Sequence, residues 1–115
     1  MSFEGSDFAY GLERLYKFWT ANQSAVELVA APAKGRLIVK RIVHSATESG
    51  GGSAGDFALT DGTNVLIAFN IGSDAPFEVE LDLELPNKTP LELGSTVAGT
   101  SPRHDMYIEY INKRG

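Results

Sequence analysis

A chain of 115 residues with 43% hydrophobic content can bury one core and build one domain. Its formal charge of −5 argues against the basic, phosphate-seeking surface of a nucleic-acid binder. The absence of cysteine excludes disulfides, thiolate zinc sites and a cysteine nucleophile.

The chain opens with "MSFEGSDFAYGLERL", which lacks the basic start and apolar stretch of a secretion signal. The expected place of folding is therefore a cytoplasm. No apolar run approaches the roughly 20 residues that span a bilayer, so no membrane partner is expected. Residues 1–14 read as an N-terminal arm, and residues 15–115 as the folded domain. The arm is rich in aromatics (Phe3, Phe8, Tyr10), unlike a disordered tail. Phe8, Leu12, Leu15, Tyr16 and Trp19 also fit a helical stripe, which would make a short helix over residues 7–18.

From residue 15 the chain reads as strands and turns. "LYKFWTA" alternates, with Tyr16 and Phe18 on one side and Leu15 and Trp19 on the other. "SAVELVAA" follows and stops at Pro32. "GRLIVKRIVHSAT" is long and rich in β-branched residues. "ESGGGSAG" reads as a flexible loop, because ordering so many glycines is entropically costly. "DFALTDGTNVLIAFNIG" reads as a hairpin turning at Asp61-Gly62. "APFEVELDLELP", "TPLELGSTVAG" and "HDMYIEYINK" complete the strands. The expectation is an all-β fold: a single β-sandwich or jelly-roll-like domain of about seven or eight antiparallel strands.

The stretch "FEVELDLELP" places Glu78, Glu80, Asp82 and Glu84 at alternate positions, with Val79, Leu81, Leu83 and Leu85 between them. In a strand the leucines face the core and the carboxylates face out. Carboxylates two apart on a strand are roughly 6.5–7 Å apart, too far for one calcium ion to gather several of them. The row reads as a solvated face, and four aligned like charges call for a basic strand alongside. "KGRLIVKR" offers Arg36, Lys40 and Arg41.

His44 and His104 are the two imidazoles, and no metal-binding histidine spacing is present. "PRHD" (102–105) reads as a turn. No nucleophile elbow or phosphate loop occurs. Trp19, Tyr107 and Tyr110 would suit a sugar platform, although packing is the commoner fate of strand aromatics. No catalytic, cofactor-binding or metal residue is assigned.

The run "AVELVAAPAKGRLIVKRIVHSA … GDFALTDGTNVLIAF … LELPNKTPLELGST … YIEYI", residues 24–111, resembles small structural proteins of tailed bacteriophages, the trimeric capsid decoration (cement) proteins. The resemblance implies a non-enzymatic virion protein, assembled in the host cytoplasm and seated on the capsid surface. Its implied partners are itself, as a homotrimer, and the major capsid protein. A tail, fibre or baseplate module with host-glycan binding is the alternative, and a small carbohydrate-binding β-sandwich the second. On the residues alone, Phe3, Phe8, Tyr10 and Trp19 are the expected interface anchors. Lys34, Arg36 and Arg41 are expected to face an acidic partner surface.

Overall fold

The computed structural model describes residues 11–49, 53–72 and 76–114. Eight strands follow in chain order: β1 (Glu13–Trp19), β2 (Gln23–Val29), β3 (Arg36–Thr47), β4 (Ser53–Thr60), β5 (Val65–Gly72), β6 (Phe77–Glu84), β7 (Leu91–Val97) and β8 (Arg103–Lys113). They form two four-stranded antiparallel sheets, β1-β8-β3-β6 and β2-β7-β4-β5. Only β4 and β5 are consecutive neighbours in one sheet. Every other connection crosses from one sheet to the other, which is the winding of a jelly roll. The all-β sandwich expected from the strand and turn spacing is what forms.

The alternation along each strand decides which face is buried. In β6, Glu78, Glu80, Asp82 and Glu84 are exposed, while Val79, Leu81 and Leu83 pack on the core. Leu37, Val39 and Ile42 of β3 and Met106 and Ile108 of β8 face Phe57 and Leu59 of β4 and Leu91 and Leu93 of β7 across the sandwich. Burying each large side chain is worth roughly 1.5–3 kcal/mol, so this layer is the main source of stability. A bulge in β3 between Val39 and Arg41 keeps the inward phase through Ile42, His44 and Ala46.

The β4–β5 hairpin turns at Asp61 as expected. The Asp61 amide donates to the Asn64 carbonyl (3.1 Å), and its carboxylate accepts from the amides of Thr63 (2.9 Å) and Asn64 (2.7 Å). Those amides hold the Asp61 carboxyl below its ordinary pKa.

Three expectations change. Of the helical alternative over residues 7–18, residues 7–10 lie outside the described residues and residues 13–18 are strand: β1 pairs with β8 along its whole length, from Glu13 opposite Tyr110 to Trp19 opposite His104. Glu13 and Arg14 thereby belong to the sheet rather than to an arm. The supposed glycine loop is part of the sheet from Ser53 onward. Gly55 sits there at φ +112°, and a Cβ would collide with the Thr96 carbonyl oxygen. The glycine is thus what lets β4 lie against β7.

Candidate interaction surface

The histidines lie where no substrate can reach them. His44 and His104 are fully buried, with His44 Nε2 3.0 Å from His104 Nδ1. His104 Nε2 is 2.8 Å from the Ala54 carbonyl oxygen. A carbonyl only accepts, so His104 Nε2 carries a proton and donates it. With that tautomer His104 Nδ1 can accept from His44 Nε2–H. Burial, helped by the neighbouring His104, pushes His44 down to about 4, with Asp105 opposing. The pair therefore ties β3 to β8 and β8 to β4. It is a polar link between the sheets.

Trp19 completes this cluster. Its side chain is 3% exposed, so it cannot serve as the surface anchor expected of it. The indole stacks on His104, and its Nε1–H donates to Ser95 Oγ (2.8 Å). Ser95 Oγ in turn donates to the Asp56 carbonyl oxygen (2.6 Å). A sugar platform including Trp19 is ruled out by the same burial.

The outer face of β3 and β6 resolves the acidic row. Glu78 meets Arg41 (2.7 Å), Asp82 meets Lys40, and Glu84 meets Arg36 (3.0 Å). Glu80 lies opposite Arg41 in the strand register. Arg41 also approaches Glu109 (3.5 Å), which Arg14 reaches from β1 (3.5 Å). The Arg41 hydrogen bond holds Glu78 below its ordinary pKa, and the same bond raises Arg41. Arg36 and Arg41 thus engage the protein's own carboxylates rather than standing ready for a partner. The three pairs between β3 and β6 are exposed and contribute little each, while the Arg41–Glu109 contact is part-buried. The shallow groove of about 430 Å3 between Lys40, Glu80 and Glu109 is lined by both signs of charge. Among the described residues no group of three His, Asp or Glu converges as a metal site.

The opposite end of the same sheet is different. On β1, Tyr16 and Phe18 are 58% and 50% exposed, and Leu12, just before the strand, is 47% exposed. Tyr16 and Phe18 project from the outer face because Leu15 and Trp19 take the inner one. Polar groups from β8 brace them. The Tyr16 hydroxyl donates to Asp105, and Arg103 donates to the same carboxylate (3.2 Å). The Arg103 guanidinium lies 4.3 Å from the Phe18 ring centroid. Arg103, then Tyr16, keep Asp105 ionised below its ordinary pKa, and Asp105 raises Arg103. The result is an exposed, pre-ordered strip of two aromatics and an arginine.

Of the other expected contact residues, Lys34 is exposed in the β2–β3 turn. Phe3, Phe8 and Tyr10 lie outside the described residues. Sequence reading passed over Tyr16, Phe18 and Arg103. The first two were visible as the face opposite Trp19, but a strand with aromatics on both sides does not say which side is inward.

No family model and no curated protein matches the chain. Several solved structures are similar at low identity. A structure from the disulfide-linked pili of Bacillus endospore appendages is 15% identical, with a TM-score of 0.47 over 89% of this chain and 88% of its own. The CBM36-1 domain of a multidomain xylanase from the hindgut metagenome of Trinervitermes trinervoides is 14% identical, with a TM-score of 0.45 over 92% and 76%. The Tobacco streak virus coat protein is 12% identical, with a TM-score of 0.38 over 87% and 86%. At these values the likeness assigns the chain to no family and decides nothing about its activity.

Proposed function

We propose that this chain is a non-enzymatic structural protein of a phage particle, a decoration protein that binds the outside of the head and bridges capsid subunits. The observation that carries this reading is the exposed strip Leu12, Tyr16, Phe18 and Arg103 on edge strand β1. Aromatic residues and arginine, held in place before contact, are what interface hot spots are made of. The strip begins where residues 1–10, with Phe3, Phe8 and Tyr10, join the fold.

The jelly-roll winding is used by capsid and lectin domains alike, so the fold by itself does not choose between them. The histidines face the core, and the charged groove is neutralised from within. Neither offers a reacting group to a substrate. In this reading three protomers associate around a threefold position of the shell, and each contributes its strip to the major capsid protein. Several weak contacts made at once then hold firmly.

A second reading, glycan binding, has one observation in its favour, since Tyr16 and Phe18 are exposed rings beside a carboxylate and a guanidinium. Against it, Arg103 already lies over the Phe18 ring and the Tyr16 hydroxyl is committed to Asp105.

The discriminating experiment is fractionation of phage heads and tails, each incubated with the purified protein. Sedimentation with heads is the expected result. Sedimentation with tails, or release by soluble sugars, contradicts the decoration reading.

A further inference from the structure

Two four-stranded sheets have four edges: β1 and β6 in one, β2 and β5 in the other. An open edge presents free backbone N–H and C=O groups to any passing strand, and folded proteins usually guard it with charge, bulges or irregular backbone. Three of the four edges here are guarded. β1 carries Glu13, Arg14 and Lys17. β6 carries Glu78, Glu80, Asp82 and Glu84. β2 carries Glu27, breaks register with β7 twice, and holds Ala25 at φ +51°.

Among the described strands β5 is the uncharged edge, although its register with β4 also shifts twice, between Ser53 and Gly55 and between Leu59 and Thr60. Its sequence, Val65–Gly72 "VLIAFNIG", contains no charged residue and no proline. Its pairing with β4 is regular from Asn70 to Ile67. Val65 is 64% exposed, and Ala68 and Asn70 are exposed as well. Small and uncharged groups at these positions leave the way to the edge open. A shallow hollow of about 210 Å3 lies over β4 and β5 beside Val65, Ala68 and Asn70.

We infer that β5 is a pairing edge whose occupant is β5 of a second copy of this chain, joined antiparallel about a twofold axis. Charge decides which edge can accept its own copy. A twofold contact sets a strand antiparallel to its own copy, residue i opposite j and j opposite i, so a face of one charge meets the same face. On β6 that operation would bring two rows of carboxylates together, and like charges opposed across strands are destabilising. On β5 the same operation has no electrostatic cost, because the strand carries no charged residue. The two β2-β7-β4-β5 sheets would then run on as one eight-stranded sheet across both protomers.

This contact does not depend on the strip of Leu12, Tyr16 and Phe18. A twofold pair cannot close a threefold ring, so it links a protomer of one assembly to a protomer of the next. On a shell, where neighbours are held close, a pairing that is weak in solution becomes strong.

The chain has no cysteine, so single cysteines report cleanly. Cysteine is placed at Ala68 and at Asn70, singly and together, in the full chain. A control carries it at exposed Ser24 on the guarded β2 edge. Each protein is oxidised at high concentration and run on non-reducing gels. At least one of the three β5 variants should form a reducible two-chain product several-fold above the Ser24→Cys level. Adding Ala68→Lys to the Asn70→Cys protein should abolish that product, with the circular dichroism unchanged. No β5 product above the Ser24→Cys control overturns the inference. So does a product that survives Ala68→Lys in a folded protein, and so does a β5 cysteine that cross-links only to a different protein.

Discussion

The indole of Trp19 lies parallel to the imidazole of His104, with ring centroids 5.1 Å apart and an interplanar angle of 11°. Trp19 comes from edge strand β1 and His104 from its neighbour β8, in direct register. Through Ser95 and Ala54 the same two rings are hydrogen-bonded to the opposite sheet. The sandwich is pinned here by a polar cluster as well as by its apolar layer, and the pin sits directly behind the exposed strip of Tyr16 and Phe18.

The bond from Trp19 to Ser95 should matter to stability. Ser95→Ala leaves the buried indole N–H and the Asp56 carbonyl without this partner, at a cost of about 1–3 kcal/mol. Trp19→Ala should cost more, about 3–5 kcal/mol, because it empties a core site. Urea unfolding followed by circular dichroism measures both. Equal, negligible effects would place the cluster outside the stabilising core.

Acid should weaken the fold before the carboxylates titrate. His44 stays neutral in the folded protein down to about 4, whereas the unfolded chain takes up that proton below 6.5. Its contribution is fully present above 6.5 and is lost as pH falls toward 4. The total is roughly 3 kcal/mol. Unfolding free energies measured from pH 7.5 down to 4.5 should fall steadily below 6.5. A flat profile over that range would contradict a buried, neutral His44.

The loop after β7 rests on one buried carboxylate. Glu48 accepts from the amides of Thr100 (2.8 Å) and Ser101 (3.4 Å). Gly99, at φ +101°, lies so close that a Cβ would overlap the Glu48 side chain. Gly99→Ala therefore both strains the backbone and displaces the carboxylate. It should lower the melting temperature more than Glu48→Gln, which keeps the shape and the acceptor oxygen. The reverse order would show that Glu48 acts through its charge alone.

The carboxylate ladder should be nearly silent. Glu80→Gln and Asp82→Asn should each shift stability by about 0.5 kcal/mol or less, since exposed pairs are worth little. Calcium should not raise the melting temperature, nor a chelator lower it. A calcium-specific rise would make the row a metal site.

Much of this fold was legible because the strands alternate. "FEVELDLE" announces its buried face, its wet face and its need for a basic neighbour, and β3 supplies that neighbour. The Asp61 turn was legible for the same local reason. What escaped was set by distance along the chain. His44 and His104 are 60 residues apart, and nothing local joins them. The signal was phase: His44 is in step with Ile42 and Ala46, and His104 with Met106 and Ile108, all buried. Phase puts both imidazoles inward, and the register, with His44 opposite Met106 and His104 opposite Ala46, brings them together. Trp19 was misplaced because β1 carries aromatics on both faces, and only the docking of the second sheet decides which face is covered. The glycine-rich stretch misled because Gly55 serves a close backbone approach within the sheet, not a loop.

The attachment surface is the central claim, and occupancy on heads tests it most directly. Phage heads lacking the protein are mixed with the wild type or with the double variant Tyr16→Ser, Phe18→Ser, then sedimented through a gradient. Both side chains are about half exposed, so the variant should keep its circular dichroism and its core. Losing two interface anchors at about 2 kcal/mol each predicts a loss of affinity of roughly a thousandfold, and the variant should stay at the top of the gradient. Full occupancy by the folded variant would contradict the account and move the attachment surface away from β1.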